Sequence, residues 1–477
     1  MSKPPRSFDP DRPYATIFRL AWPQVLMMFA HFFVGFVDVY VAGKLSSEVQ
    51  ASLGVITSSL FFMLIIAISV ANGAVAAISQ SIGAGKERRA GRYVGLSLAL
   101  AVTAGFIILG VGWFVQGLFL DLLQVPPEIK DVARYFLSVY LLVLPAYYTL
   151  IITNAVFRAR KEVQFPLYAM IIIMVANAVG DFGLGLGMWG LPNLGFKGLA
   201  WATFGSVCIG MLFNLSVFKA KGLLKKASFP PLRWSRCAVP YLFKVAWPAG
   251  LMQVLWQTGY LVLFAITAAL PTEPVQAMAA MTAGLRVESL LFLPGFAFNM
   301  TASVLVGHYL GAGRPDEARR YGYRIWAIGV GIISLATLGV WQFAEPIAGL
   351  LTAEAGVREE MVRYLAYNMA AIPFTLTVMI MGGAFVGAGA TLYNMAIFGG
   401  TVWLFRLPLA YVLGHEVFGE AVGVWMAQFA SQFLQACIIF AVFKWGNWTK
   451  FAMAGKRGKK AESGLPHRTV PGAAHER

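Results

Sequence analysis

The stretch SIGAGKERRAGRY at residues 81–93 returns as YLGAGRPDEARRY at 309–321, and that recurrence sets the fold. Other matches keep the same register. AWPQVLM at 21–27 pairs with AWPAGLM at 246–252, VQA at 49–51 recurs at 275–277, and Pro145 and Phe157 align with Pro373 and Phe385. The offset stays between 225 and 228, so one unit is written twice.

Each copy is a series of long apolar runs. The 477 residues are 58% hydrophobic and 13% charged, with a mean hydropathy of +0.68. Soluble domains carry roughly 45–50% apolar and about 25% charged residues. Twelve runs reach the length of about 20 residues that crosses a bilayer: 14–42, 50–81, 92–119, 131–157, 164–188, 197–218, 240–270, 277–310, 321–343, 361–387, 392–414 and 420–444. Backbone groups find no water partner in lipid, so runs this long and continuous must be helices. The expected fold is an all-α integral membrane protein with twelve transmembrane helices in two pseudo-symmetric six-helix lobes. Residues 1–218 form the N-terminal lobe, 219–245 a basic linker, 246–445 the C-terminal lobe and 446–477 a disordered tail. Six spans per copy is an even number, so both lobes share one orientation about an axis along the membrane normal, an arrangement found in transporters. A channel or a non-transporting receptor is the other reading of such a bundle.

The formal charge of +16 does not point to nucleic acid, because of where it lies. With residue 1 in the cytoplasm, 30 of the 38 Lys and Arg fall on that side and six on the other, while Arg286 and Arg406 lie within spans. This positive-inside bias puts both termini in the cytoplasm of a cell inner (plasma) membrane protein. The basic tail GKRGKKAESG reads as a cytoplasmic flank. Cys208, Cys237 and Cys437 have no metal-ligand spacing and suggest no disulfide framework. No H-E-x-x-H, G-x-S-x-G or Walker pattern is present, so neither an enzyme nor an ATP-driven pump is expected, and no cofactor.

An ordered set of motifs now carries a resemblance. It comprises Trp-Pro at the start of the first and seventh spans, G-A-G at 83–85 and 311–313, and Asp38 followed by VAG. RVESLLFLPGFAFNMTASVLVGHYLGAG at 286–313 and FVGAGAT at 385–391 complete it. Together they resemble the multidrug and toxic compound extrusion (MATE) family over residues 15 to 445. The resemblance implies a two-lobed antiporter exporting amphipathic, often cationic compounds in exchange for protons or sodium ions.

Apart from Asp131 and Glu420 at span ends, three acids lie within spans: Asp38, Asp181 and Glu288. Ionisable groups in a membrane are costly and default to a functional hypothesis. The repeat maps Asp38 onto Leu263 or Phe264 and Asp181 onto Leu409, so the fold alone does not demand these two carboxylates. Asn177 sits one turn before Asp181 on the same helix face. The pair resembles the fifth-helix Asn and Asp of family members, which implies one ion-coupling cluster of Asp38, Asn177 and Asp181, with Thr203 as a further member. Two carboxylates sharing a dry site do not both ionise easily, so the cluster suits a proton. Its oxygens also suit sodium. The bland alternative is a pair of buried acids satisfied by hydrogen bonds between helices. Some sodium-coupled relatives carry acids in the seventh and tenth spans; none is present here, which favours proton coupling.

The remaining candidates are weaker. Glu288 is two residues from Arg286 and faces elsewhere, so it reads as structural before it reads as a coupling or substrate contact. Arg406 also reads as structural. His31, two turns before Asp38, is either a proton relay or a hydrogen-bonded histidine. Met27, Met252 and Met281, with Trp256 and Tyr260, offer a soft lining for varied cations, although the same residues also pack ordinary helices. Gln24, Gln253 and Gln257 would add polar contacts. The expected partners are small amphipathic substrates and membrane lipid, with the chain acting as a monomer. A lipid-linked sugar flippase is the rival transporter; it should line its cavity with several basic residues.

Overall fold

The computed structural model describes residues 12–225 and 228–453. Among these residues, twelve helices are long and apolar enough to cross a membrane. They are α1 (Pro13–Leu45), α2 (Ser47–Gly83), α3 (Glu87–Leu122), α4 (Pro127–Ala159), α5 (Gln164–Gly185), α6 (Phe196–Ala220), α7 (Leu232–Ala268), α8 (Pro274–Gly311), α9 (Pro315–Gln342), α10 (Ala355–Ala388), α11 (Thr391–Val417) and α12 (Ala421–Trp445). Prolines open α1, α4, α8 and α9, where the missing N–H costs nothing. Ser46 caps α2 by accepting from Val49 N.

The opening motif is one turn built twice. Lys86 N donates to Ser81 O and Arg314 N to Tyr309 O, both at the end of an apolar helix. The second glycine of each G-A-G takes the left-handed conformation this turn requires, with φ of 66° at Gly85 and 74° at Gly313. The first glycine does something else. A Cβ on Gly83 would lie 2.0 Å from His308 O, and one on Gly311 would lie 2.1 Å from Gln80 O. The two copies of the motif therefore meet backbone to backbone, α2 against α8, across the boundary between lobes.

That seam joins the lobes at the end where the G-A-G turns lie. Gln80 Nε2 donates to Gly387 O at 2.7 Å, His308 Nε2 to Ala159 O at 2.8 Å, and Gln24 Nε2 to Thr301 Oγ1 at 3.0 Å. Each such bond contributes about 0.5–1.5 kcal/mol. Packing is exchanged reciprocally as well. Ile17, Leu20 and Ala21 of α1 belong to the core of the C-terminal lobe, while Ala238 and Leu242 of α7 belong to that of the N-terminal lobe.

Two expected boundaries move. The linker read at 219–245 is largely helical: α6 runs to Ala220, and α7 begins at Leu232. Arg233, Arg236 and Lys244 suggested a loop, yet the intervening apolar residues give this stretch a face that packs on α2, where Leu242 O approaches Gly73. The tail read from 446 also starts as ordered chain. Trp448 is fully buried against Phe443 and Phe385, its Nε1 donating to Phe443 O. Arg319 clasps the carbonyls of Lys444 and Gly446, and Met453 N donates to Gln80 Oε1 at 2.8 Å. This strap crosses the seam from one lobe to the other. The rest of the tail, 454–477, lies outside the described residues.

Lys161, in the α4–α5 turn beside the seam, has a φ of 63° and is half-buried. Burial lowers its pKa from 10.5 to about 7. Between those values the unfolded chain binds more protons at Lys161 than the folded one, so this contribution to stability rises with pH through that window and is smallest below about pH 7. Lys161→Met is expected to remove that rise. Melting temperatures of both proteins from about pH 7 to about pH 10 test this, and parallel profiles would refute it.

Candidate functional site

The acids of the first and fifth helices come together inside the N-terminal lobe. α5 ends in a π-helical turn, Asp181–Gly185, a distortion found often at functional sites. Gly180 lets α5 approach α6, since a Cβ there would lie 2.6 Å from Ala202 Cβ. This approach brings Asp181 beside α6. Asp181 and Asn177 are fully buried, Thr203 is buried, and Asp38 is half-buried. Asp38 faces both Asp181 and Asn177.

Five buried polar atoms converge here without a protein hydrogen-bond partner: Asp38 Oδ1, both carboxylate oxygens of Asp181, and Asn177 Oδ1 and Nδ2. Buried polar groups are normally paired. The donor set is oxygen-rich and carries two carboxylates, which fits a shared proton or a hard monovalent cation such as sodium. The polar neighbours of these side chains are one another, Asp38 of α1 interacting with both Asp181 and Asn177 of α5.

α4 adds two members that the sequence reading missed. Tyr140 lies beside Asp38, Asp181 and Thr203, and Tyr147 lies beside Asp38. Their spacing of seven residues puts both on one helix face, which is the only signal that could have found them.

The other candidates disperse. Gln24 is 1% exposed and is spent on the seam, bonded to Leu20 O and Thr301 Oγ1 rather than facing a cleft. Met27 packs in a small cluster with Val143 and Ile173, and Met281 is fully buried in the core of the C-terminal lobe. Neither is a lining residue in this state. His31 is exposed, and no hydrogen bond ties it to Asp38 among the described residues. Trp256 stacks on Phe398 at 5.1 Å and meets Tyr260 at 5.9 Å, with Gln253 and Gln257 half-buried nearby on α7. Met252 Sδ accepts from Asn394 Nδ2.

Glu288 is 1% exposed and interacts electrostatically with Arg406, with Tyr364 beside it. Arg406 in turn donates from Nε to Ser431 Oγ at 2.6 Å and lies by Tyr260. Arg286 is exposed, in line with its spacing from Glu288. Position 263 of α7, one of the two that align with Asp38, holds a leucine buried to 1% in the core.

Two matched six-helix lobes joined along one end, with a buried acidic cluster in one of them, are the architecture of a membrane transporter. The MatE family model matches residues 23–182 and 248–412, one stretch in each lobe. The chain belongs to this family, the multidrug and toxic compound extrusion transporters. The probable multidrug resistance protein NorM of Thermotoga maritima is 24% identical over 441 residues, covering 92% of this chain and 93% of the relative. The multidrug resistance protein PmpM of Pseudomonas aeruginosa is 26% identical over 407 residues and covers 83% of each chain. A solved structure of a multidrug resistance MATE transporter in its outward-facing conformation superposes with a TM-score of 0.84 at 19% identity, over 91% of this chain and 95% of the other. That likeness carries the fold.

Proposed function

We propose that the chain is an antiporter of the plasma membrane that exports amphipathic, cationic organic compounds in exchange for protons by alternating access. The observation that carries this reading is the N-lobe cluster of Asp38, Asn177 and Asp181, with its five unpartnered polar atoms. Sodium is the alternative coupling ion, since the same oxygens suit it. The names of the NorM and PmpM relatives support export of drugs. The basic residues cluster at the seam end, which the positive-inside bias assigns to the cytoplasm along with both termini. In this state the lobes are therefore closed inward. Ion binding at the cluster shifts the balance between inward and outward states only by its differential affinity for the two.

The flippase reading is weaker. Of the two arginines read within spans, Arg406 is buried on Ser431 and Arg286 is a single exposed charge, which among the described residues gives no cluster of basic side chains between the lobes.

Uptake of a fluorescent organic cation into inverted vesicles, with pH and sodium gradients imposed separately, tests the proposal. Uptake is expected to follow the proton gradient. A response to sodium alone would replace the coupling ion, and indifference to both gradients would defeat the antiporter.

A further inference from the structure

The first turns of α9 carry a feature that the acidic cluster does not use. A cleft of about 200 Å³ opens between the end of α8 and the start of α9, lined by Tyr309, Arg314, Glu317, Arg320, Tyr321 and Arg324. Its floor is a stack of two phenol rings, Tyr309 on Tyr321 at 4.6 Å. Arg314 lies over the first ring and Arg324 over the second, at 5.8 and 5.5 Å. Glu317 pairs with Arg314. Arg320 and Arg324 have no acidic partner among the described residues, so three guanidinium groups face a single carboxylate.

The matching turn of the N-terminal lobe shows that the fold does not require this. There the offset of 228 puts Ser81, Arg89 and Arg92 where Tyr309, Glu317 and Arg320 stand. Arg89 Nε donates to Ser81 Oγ at 2.9 Å, and Arg92 lies over the Trp234 ring. Arg89 is spent on that bond, whereas Arg92, like Arg324, rests on an aromatic ring. In the C-terminal lobe the next arginine, Arg319, is likewise engaged, by the strap carbonyls of Lys444 and Gly446. Arg320, and Arg324 on its ring, face the cleft without a carboxylate partner among the described residues.

We propose that this cleft binds the phosphate of an anionic phospholipid headgroup. Guanidinium forks match phosphate oxygens two at a time. Basic pockets at the ends of membrane helices sit at the depth of the headgroups. The cleft is smaller than the roughly 300–1,000 Å³ of pockets that hold drug-sized molecules, which suits a phosphodiester rather than a transported compound. The aromatic floor holds two of the arginines in place, so little order has to be imposed when the phosphate arrives.

Native mass spectrometry of the full chain tests this, with phosphatidylglycerol, phosphatidylcholine or inorganic phosphate added in separate arms. Phosphatidylglycerol is expected to bind wild type more tightly than phosphatidylcholine. The double variant Arg320→Gln with Arg324→Gln is expected to lose about 30-fold of that affinity, from about 1 kcal/mol per basic residue. Arg233→Gln, which removes an exposed charge elsewhere, should change it little. Equal binding of both lipids to wild type overturns the proposal without any variant. So does an equal loss from Arg233→Gln, or inorganic phosphate displacing the lipid at matched concentration, which would mark a site for soluble phosphate. All readouts are binding, so they stand or fall independently of the coupling ion and of transport.

Discussion

Asp181→Asn is expected to cut gradient-driven export roughly 5–150-fold, the range spanned by typical coupling between two sites, while the protein still inserts and folds. The substitution keeps the shape of a fully buried side chain and removes only its ability to exchange a proton or hold a cation. The polar neighbour of Asp181 is Asp38, and an amide in its place can still donate to that carboxylate. Asp38→Asn should behave in the same way, since the two acids face each other. The loss should appear in transport driven by an imposed ion gradient and much less in binding of the organic cation, because the variant uncouples the sites without closing either. Flux assays in proteoliposomes, paired with cation binding to detergent-purified protein, separate the two. Full gradient-driven activity in both variants would make these acids structural.

Gly311→Val should open the seam. The added Cβ would meet Gln80 O at 2.1 Å and Gln80 C at 2.7 Å, and both are backbone atoms that cannot rotate aside. Overpacking a fitted contact costs typically about 1–3 kcal/mol. Placed wholly on the closed state, that cost moves the balance toward separated lobes by about 5–150-fold. Gly83→Val should act alike through His308 O. Maleimide labelling of Ser81→Cys, fully buried beside the seam, reads the change in a background lacking Cys208, Cys237 and Cys437. Unchanged labelling would show that α2 and α8 do not part. A drop in melting temperature without increased labelling would assign the damage to folding instead.

The sequence made the lobes visible because membrane spans and an internal repeat are both local signals. Length and apolarity give each helix, and the recurring motif gives the pairing of copies. The seam was different. Gly83 and Gly311 were conspicuous as members of G-A-G turns, yet their contact with the opposite lobe joins residues more than 200 positions apart, and nothing in a local motif encodes it. The acidic cluster was legible through Asp38 and Asp181, since a carboxylate in an apolar run has few explanations. Tyr140 and Tyr147 were not, because a tyrosine in such a run is ordinary packing material. Met27, Met281 and Gln24 show the reverse error. An apolar or amide side chain on a membrane helix can meet lipid, a core or a cleft, and composition does not separate these environments. Trp448 was hidden for another reason: the charges around it suggested a solvated tail, whereas its ring fills a slot among Phe443, Phe385 and the Arg319 guanidinium.

Met453 follows all twelve helices along the chain, so its bond to Gln80 can form only after both lobes have left the ribosome and entered the bilayer. Until then Gln80 has at most its bond to Gly387 of the second lobe, and the halves touch only through the contacts the helices make themselves. The strap is thus a finishing stitch, sewn after the fabric is complete. A chain cut before Trp448 should reach the membrane with every helix and lack that last fastening.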